Sequence, residues 1–339
     1  KISVVDREGR AIVTTQDQTG AQVKVMLEVG ITGAAKNTSS TAFVMHDSAG
    51  CAAAKLLFSS ETGKIWAVNP DVNARTGMVV VDRSSVGASY KGLAIIDLSQ
   101  IQPGQGSGSG SGSGTKLTGL RIIAPDFHNA RIDVFDENFN LISQTNPSAG
   151  SGSGSGSGSA LQTMFVNPNL PAGYAPFNTV VLNGAVYVTY AKQDAAKADD
   201  VKGAGLGMVD EFDLQGNFMR TIVDVGGLLD APWGVALAPA NFCSSTANKL
   251  LIGNFGDGHI IAVEPDSGRV LGMLSDDKGN SLAIEGLWSL RFEDQAQTGQ
   301  GSGSGSGAST QARLYFSSGP GDEKHGLFGY LVSTSEPSK

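Results

Sequence analysis

The sequence predicts an all-β fold, a β-propeller built from four-stranded antiparallel blades. The first observation is a repeat: five times the chain places an apolar strand, a short turn rich in Gly, Asp, Asn or His, and a second apolar strand. The second is the period, because matched positions lie 64 or 65 residues apart. The third is the lack of helical periodicity outside Asp194–Asp199. A steady period in a β-rich chain is typical of a radial repeat. The matched positions are Phe58, Ile123, Val188, Ile252 and Phe316.

We interpret each repeat as four strands, called A to D in chain order. Strand A is a small apolar segment such as PWGVALAP (Pro232–Pro239). Strands B and C are the two apolar runs of the repeat, clearest in LLIGNFGDGHIIAVEPDSG (Leu250–Gly268). Strand D follows a polar turn, as in GNFMRTIVDV (Gly216–Val225). The β-branched content and the flanking turn residues support strands over helices.

The two ends of the chain do not complete a blade. Ile2–Asp6 and Ala11–Gln16 predict a hairpin resembling strands C and D, and the last repeat has no clear strand D after Val332. We therefore predict six blades, with the N-terminal strands of one blade missing from this chain. The alternative is five blades, with the N-terminal hairpin supplying the last blade's outer strand. Because unpaired edges promote association, we expect a second chain or a missing N-terminal segment to complete the ring.

Three tracts of alternating Gly and Ser interrupt the repeats, at residues 106–114, 150–159 and 301–307. Such tracts contain no core-forming residues and behave as flexible coils. We expect them to be loops inside a single domain that spans residues 1–339. The same tract at three places indicates engineered replacement of longer native loops.

The amino-acid composition argues against some classes of function. With 40% hydrophobic residues, the 339-residue chain can bury a sizeable core. A net charge of -8 disfavours nucleic acid, whose phosphates require Lys and Arg. No apolar run is long enough for a membrane span. Few lysines and many Ser, Thr, Gly and Asn residues suit a secreted protein, and Asn37-Thr38-Ser39 fits an N-glycosylation sequon. We expect Cys51 and Cys243 not to pair with each other.

Longer strings resemble one protein family. APWGVALAP with LLIGNFGDGHIIAVEPDSGRVLGML, YVTYAKQDAAKADDVKGAGLGMVDEFD, and EGLWSLRF with GPGDEKHGLFGYL are similar to an uncharacterised family of secreted β-propellers of NHL-like type. The resemblance covers roughly Gly30 to Val332. It implies the fold and secretion but no particular reaction. Family members carry a further PWG-type blade start at the N-terminus, which favours six blades.

The resemblance also implies where functional residues gather. In a propeller, the turns between strands B and C and the entrances to strand A open on one face around the central channel. We expect this face to be acidic with an aromatic rim. The candidate ligand-binding residues are Asp126, His128, Asn178, Trp233, Asn254, Asp257, Trp288, Glu323 and His325.

The same face could hold a divalent cation such as Ca²⁺, because carboxylates and carbonyls are its preferred ligands. The longest native loop on this face, Lys192–Leu206, contributes three of the carboxylates. The candidate metal ligands are Glu61, Asp126, Asp194, Asp199, Asp200 and Asp257.

These candidates also have structural interpretations. Asp, Asn and Gly favour tight turns because they tolerate left-handed backbone, which can explain Glu61 and Asp257. His128 can donate to a neighbouring blade, and Trp233 and Trp288 can pack between blades. The Lys192–Leu206 loop can bind a cation, act as a lid or be a plain solvated loop.

Three functions remain open. The first is a secreted binding or interaction protein with a ligand or cation site at the channel mouth. The second is a metal-dependent hydrolase of the lactonase type, using channel carboxylates with His128 or His325. The third is an engineered scaffold without native activity. No G-x-S-x-G elbow, H-E-x-x-H or C-x-x-C motif is present, so the sequence does not decide whether the protein is an enzyme.

Overall fold

The computed structural model describes residues 2–5, 11–48, 50–101, 119–144, 163–293 and 312–334. This part of the chain is all-β, with four-stranded antiparallel sheets arranged as a β-propeller. The three Gly/Ser tracts lie outside it, so their flexibility stays a prediction. The chain divides into two compact units, Lys1–Asn169 with Leu214–Asn217, and Leu170–Asp213 with Phe218–Lys339. The prediction of a single domain is untested.

The first unit contains thirteen strands in its described residues. They are β1 (Ile2–Val5), β2 (Ala11–Gln16), β3 (Gln22–Met26), β4 (Ile31–Lys36), β5 (Val44–Asp47), β6 (Gly50–Ala53), β7 (Leu56–Ser60), β8 (Lys64–Val68), β9 (Met78–Asp82), β10 (Ala94–Asp97), β11 (Leu120–Asp126), β12 (Arg131–Phe135) and β13 (Leu141–Gln144). Short 3-10 helices lie at Ser84–Val86 and Leu98–Gln100. The sheet β4-β7-β8-β9 is blade 1 and β10-β11-β12-β13 is blade 2; β1 to β3 form a three-stranded sheet.

The core of the first unit fills the space between blades 1 and 2. Leu57 and Ile65 of blade 1 pack with Ile95 and Phe135 of blade 2 in one cluster. Both faces of β11 and β12 are buried from Ile122 onward, which explains why their sequences are apolar without strict alternation. The register pairs Ile123 with Val134, so the predicted B and C strands align as expected.

The second unit contains eleven strands in its described residues. They are β14 (Tyr174–Leu182), β15 (Ala185–Lys192), β16 (Gly207–Asp213), β17 (Phe218–Val223), β18 (Pro232–Leu237), β19 (Leu250–Asn254), β20 (Ile260–Val263), β21 (Val270–Met273), β22 (Leu287–Phe292), β23 (Leu314–Ser318) and β24 (Leu327–Leu331). Blade 3 is β14-β15-β16-β17, blade 4 is β18-β19-β20-β21 and blade 5 is β22-β23-β24.

Two apolar clusters hold the second unit together. One joins blades 3 and 4 through residues such as Val209, Leu229 and Ile261. The other joins blades 4 and 5 through residues such as Leu251 and Phe316. Gly234 on β18 lies so close to β22 that an added Cβ would be 2.7 Å from the backbone nitrogen of Leu290. The small residues of strand A therefore permit close packing of the inner strands.

The structure confirms the all-β propeller class and refines the strand count. Within the described residues, four sheets have all four strands in A-to-D order, and a fifth, blade 5, has strands A to C. Five blades match the alternative prediction in number. The separate β1–β3 sheet makes the six-blade prediction close to the observed arrangement. That sheet has a third strand, Gln22–Met26, which the sequence analysis did not predict. The region Asp194–Asp199 is a turn and not a helix, because Lys197 has a φ of 57° that a right-handed helix excludes.

Candidate ligand-binding site

The turn between β11 and β12 in the first unit carries a buried ion network. Arg131 lies 2.9 Å from Asp126 Oδ2 and 2.8 Å from Asp133 Oδ1. Both carboxylates are fully buried. Tyr90 donates its hydroxyl to Asp133 Oδ2 at 2.8 Å, and the Ser89 N–H donates to Asp126 Oδ1 at 3.0 Å. Each acid therefore has a cation and a hydrogen-bond donor, as buried charges require.

Asp126 organises this turn. Burial is the largest influence and raises the pKa of its carboxyl, while hydrogen bonds from Asn129 and Ser89 and the charge of Arg131 oppose it. Asn129 Nδ2 donates to Asp126 Oδ2 at 2.8 Å. Protein donors thus contact both oxygens of Asp126, a candidate contact for a ligand or a metal. These contacts stabilise the turn, and ligand or metal binding at Asp126 stays a prediction.

Lys91 joins the turns of blades 1 and 2. Its side chain is buried, its Nζ forms an ion pair with Glu61 Oε1, and it lies 5.7 Å from the ring centroid of Phe127. Glu61, a candidate metal ligand, therefore already has a cationic partner. His128 is partly buried next to the same turn.

The loop between β15 and β16 in the second unit presents an acid of a different kind. Asp200 is partly buried, and its Oδ2 has no hydrogen-bond partner. Burial, followed by the negative charge of Asp199, raises the pKa of Asp200 to about 7. Asp194 shapes the loop instead, because its Oδ1 accepts the N–H of Ala198 at 2.8 Å.

The turn between β19 and β20 adds a second acceptor without a partner. Asn254 is fully buried, and its Nδ2 donates to Leu228 O at 2.9 Å and Asp257 Oδ1 at 3.0 Å. Because Nδ2 faces two acceptors, the orientation of the amide is defined, and Oδ1 has no hydrogen-bond partner. Asp257 is exposed.

Asp230 contacts both the β15–β16 loop and the β19–β20 turn through the backbone of Gly203 and Gly256. It is 5% exposed and accepts the N–H of Gly203 at 2.7 Å. Burial is the largest cause that raises the pKa of Asp230, and the charge of Asp257 adds to it. A Cβ at Gly256 would lie 2.0 Å from Asp230 Oδ1, so glycine is required there. We call Asp200, Asp230, Asn254 and Asp257 the acidic rim.

One cation lies beside the acidic rim. The charge of Lys202 lowers the pKa of both Asp200 and Asp230, although burial outweighs it. Its Nζ lies 4.6 Å from the ring centroid of Phe255, a cation–π distance. Lys202 is exposed and, within the part of the chain that the structure describes, forms no salt bridge with either acid. Solvent therefore weakens its effect on both carboxylates.

Phe255 is part of a row of aromatic side chains in contact with one another. The ring centroid of Phe177 lies 6.4 Å from that of Phe255 and 4.7 Å from that of Trp233. Asn178 Nδ2 donates to the backbone oxygen of Trp233 at 2.9 Å. Trp233 and Asn178 are only partly buried, so they tie blade 3 to blade 4 and also present some surface.

The remaining candidates lie on blade 5. Trp288 Nε1 donates to Glu323 Oε1 at 3.2 Å. Glu323 and His325 are exposed in the turn between β23 and β24. This group has ordinary hydrogen-bonded partners and no buried acceptor comparable to Asn254.

Metal binding gains no support from the described residues. Among them, no group of three or more His, Cys, Asp or Glu side chains is arranged to hold an ion. Asp194, Asp199 and Asp200 share one loop but do not form such a group. The predicted calcium site therefore stays a prediction.

Three residues that form these contacts, Arg131, Asp133 and Asp230, were absent from the candidates predicted from the sequence. Arg131 and Asp133 alternate with apolar residues in the buried strand RIDVF (Arg131–Phe135). Charges inside an otherwise apolar strand are a signal for a buried ion pair. Asp230 directly precedes the strand A motif APWG, but nothing in the sequence shows that it contacts Gly203, 27 residues earlier.

Comparison with known proteins finds relatives of this chain but no matching family. No family model matches the chain, so the resemblance to secreted NHL-like propellers stays a prediction. Three uncharacterised proteins of Acanthamoeba polyphaga mimivirus are similar to it. One is 27% identical over 75% of this chain and 41% of its own length. Another is 28% identical over 82% of this chain and 61% of its own length. The chain thus spans about half the length of these curated relatives.

Solved structures also resemble the chain at low identity. Hydrazine synthase of Kuenenia stuttgartiensis matches with 10% identity and a TM-score of 0.48, covering 91% of this chain and 69% of its own. A nidogen/laminin complex matches with 11% identity and a TM-score of 0.45, covering 92% and 83%. Virginiamycin B lyase from Staphylococcus aureus matches with 9% identity and a TM-score of 0.41, covering 97% and 82%. At these values the matches say nothing about activity. No helix in the described residues is long and apolar enough to cross a membrane.

Proposed function

We propose that this protein is a binding protein that takes a cationic, hydrogen-bond-donating ligand at the acidic rim of the second unit. The observation that carries the proposal is a pair of buried acceptor atoms without partners, Asp200 Oδ2 and Asn254 Oδ1. A buried polar atom left unpaired costs about 1–3 kcal/mol. A ligand that donates a hydrogen bond to either atom would recover part of this energy on binding.

Electrostatics favour a cation over a neutral donor. The pKa of Asp200 is raised to about 7 and that of Asp230 is also raised, in both cases chiefly by burial. A positive charge beside these carboxylates favours their ionised form. Binding is therefore expected to release protons near neutral pH and to strengthen as the pH rises through about 7.

The aromatic neighbours favour an organic cation over a bare metal ion. Phe255 has the ammonium group of Lys202 at 4.6 Å from its ring centroid, a cation–π contact that supports binding of an organic cation beside it. Trp233 adds apolar surface next to it through Phe177. Apolar walls with a few placed polar groups are typical of small-molecule sites. The proposal retains secretion, on the composition and the family resemblance.

Isothermal titration calorimetry with spermidine, an organic polyamine, and separately with Ca²⁺ tests this proposal. Between pH 6 and pH 8 the ionised fraction of a group with a pKa of about 7 rises roughly tenfold, so we expect spermidine affinity to rise by about that factor. Asp200→Asn should remove most of the pH dependence, and Asn254→Leu should weaken binding. Glu61→Gln, in the equivalent turn of blade 1, is the matched control and should leave binding unchanged.

Two outcomes would overturn the proposal. One is spermidine affinity that does not differ between wild type and Asp200→Asn at pH 8. The other is binding of Ca²⁺ without binding of spermidine. That result would favour the predicted metal site over a site for an organic ligand. The metal-dependent hydrolase then becomes the leading function.

A further inference from the structure

Blade 5 is one strand short within the described residues. Blades 1 to 4 each have four antiparallel strands, whereas blade 5 ends at β24. β24 pairs with β23 through five residue pairs from Leu314↔Leu331 to Ser318↔Leu327, and with no other strand of the described chain. The backbone of β24 therefore presents one edge that is open to a further strand.

The side chains of β24 do not protect that edge. Phe328 is 69% exposed, Tyr330 is 50% exposed and Leu327 is 49% exposed. Natural edge strands usually carry charges or proline, which prevent other strands from adding. β24 (LFGYL) contains neither. An apolar, uncharged edge of this kind is a site where strands add.

The adjoining face of blade 5 is built from aromatic and arginine side chains. Tyr315 stacks with Phe328 at 5.9 Å between centroids and 14° between ring planes. The Arg313 guanidinium lies 4.7 Å from the ring centroid of Tyr330. A groove of about 310 Å³ opens on the same face, and it is lined by Ser289, Arg291, Phe292, Glu293, Tyr315 and Phe328. Tyr, Phe and Arg are the residues that protein interfaces favour.

We infer that β24 is a docking edge for one extended, apolar strand of a partner polypeptide, which pairs antiparallel to β24 and completes blade 5. The chemistry of the occupant follows from the fourth strands of the other blades. These are β9 (MVVVD), β13 (LISQ), β17 (FMRTIV) and β21 (VLGM). Each has four to six residues, and three of the four are mostly apolar. The partner strand has the same length and character.

Side-chain positions define the contacts further. Phe328 and Tyr330 lie on one face of β24, and the same face of the added strand would place β-branched or aromatic residues beside them. Such cross-strand pairs stabilise a sheet by about 0.2–1 kcal/mol each. The groove next to Phe328 can receive an apolar side chain from the partner. This interface lies on blade 5 and does not depend on the acidic rim, so the two proposals fail separately.

A strand-addition assay with the full chain tests this inference. The probe is a fluorescent peptide that copies Gly216–Val225, the natural fourth strand of blade 3 with its flanks. We expect saturable binding by fluorescence anisotropy, with a Kd on the order of 10–500 μM. The same peptide with proline in place of its central threonine cannot complete the ladder, and should bind at least about tenfold more weakly.

Protein variants locate the binding to β24. The double variant Phe328→Ser/Tyr330→Ser removes two exposed side chains, so it should fold, and should weaken binding at least about fivefold. Met219→Ser removes a side chain that is 60% exposed on β17 and serves as the matched control. It should leave binding unchanged.

Three results would overturn the inference. They are equal binding of the two peptides, equal binding by the double variant and the wild type, and no binding up to about 1 mM. Sedimentation velocity provides a fourth test. A dimer of the wild type that the double variant abolishes would assign the edge to a second copy of this chain instead of a distinct partner.

Discussion

The β11–β12 turn of blade 2 and the β15–β16 loop of blade 3 occupy the same place in their blades, between strands B and C. Both bring buried acids to that place. In blade 2, Asp126 and Asp133 share Arg131, and further donors satisfy their oxygens. In blade 3, Asp200 has an acidic neighbour, an exposed lysine and one oxygen without a partner.

The difference shows that a buried acid between strands B and C can serve either the fold or a ligand. Where a buried acid has a cation beside it, its charge stabilises a turn. Where a buried acid has none, its charge destabilises the fold and is available to a ligand. This is why residue type alone, an Asp in a B–C turn, did not distinguish structural from binding residues in the sequence.

The largest effect is expected from removing the cation of blade 2. Arg131→Met leaves the buried Asp126 without its positive partner, and leaves Asp133 with only Arg83, whose Nε lies 3.6 Å from Asp133 Oδ2. Breaking a buried pair in this way costs about 3–5 kcal/mol. Urea unfolding measures the loss. Arg269→Met is the matched control, because its side chain is 69% exposed and its pair with Glu264 is long at 3.5 Å. It should change the free energy of unfolding by less than about 0.5 kcal/mol. Equal effects of the two substitutions would contradict the buried network.

The next effect has the opposite sign and depends on pH. The folded-state pKa of Asp200 is raised to about 7 from 3.8. The folded state therefore binds more protons between these values, and the stability that Asp200 contributes is lost as the pH rises from about 4 through about 7. Asp200→Asn removes this loss, so we expect it to stabilise the protein by about 1–3 kcal/mol at pH 8 and to have little effect at pH 4. The exposed Asp277→Asn is the control, and a gain that does not vary with pH would refute the assignment.

An effect of comparable size is expected from the hydroxyl of Tyr90. Tyr90→Phe removes the donor 2.8 Å from Asp133 Oδ2 and leaves Arg131 in place. Loss of one hydrogen bond to a buried charge should lower the free energy of unfolding by about 1.5–3 kcal/mol. Tyr330→Phe, at a residue that is 50% exposed, should have no measurable effect in the same urea titration.

The smallest effect concerns the lysine of blade 3. Lys202→Met removes the charge that lowers the pKa of Asp200 and Asp230. The titration midpoint of Asp200 should rise by less than about one pH unit, as measured from its carboxyl ¹³C shift. The exposed Lys278→Met should leave the midpoint where it is. A fall in the midpoint would show that Lys202 acts in another way.

Local patterns predicted the blades because each strand carries its own signal. The strand pair in Leu250–Gly268 is β19 and β20, and the segment PWGVAL is β18. The extra strand Gln22–Met26 was not predicted because its alternation of polar and apolar residues, in QVKVM, spans only five residues. The Asn37 sequon shows the limit of a motif. Its Nδ2, the atom that glycosylation needs, donates to Ala42 O at 3.1 Å and Ala54 O at 2.8 Å inside the fold.

The candidate site was predictable only in part. Asn254 and Asp257 were among the candidates, and the structure brings them together at one turn. Asp230, Lys202 and Phe255 were not, because their contacts join segments that are 27 and 53 residues apart in sequence. Whether an acid is paired depends on such long-range contacts, which no local pattern encodes.

One measurement compares the two turns directly. The free energies of unfolding of Asp126→Asn and Asp200→Asn at pH 8 should differ from the wild type with opposite signs. Asp126→Asn deprives Arg131 of one of its two charged partners and should destabilise the protein. Asp200→Asn removes an unpaired buried charge and should stabilise it. Changes of the same sign would contradict the distinction between a structural acid in blade 2 and an available acid in blade 3.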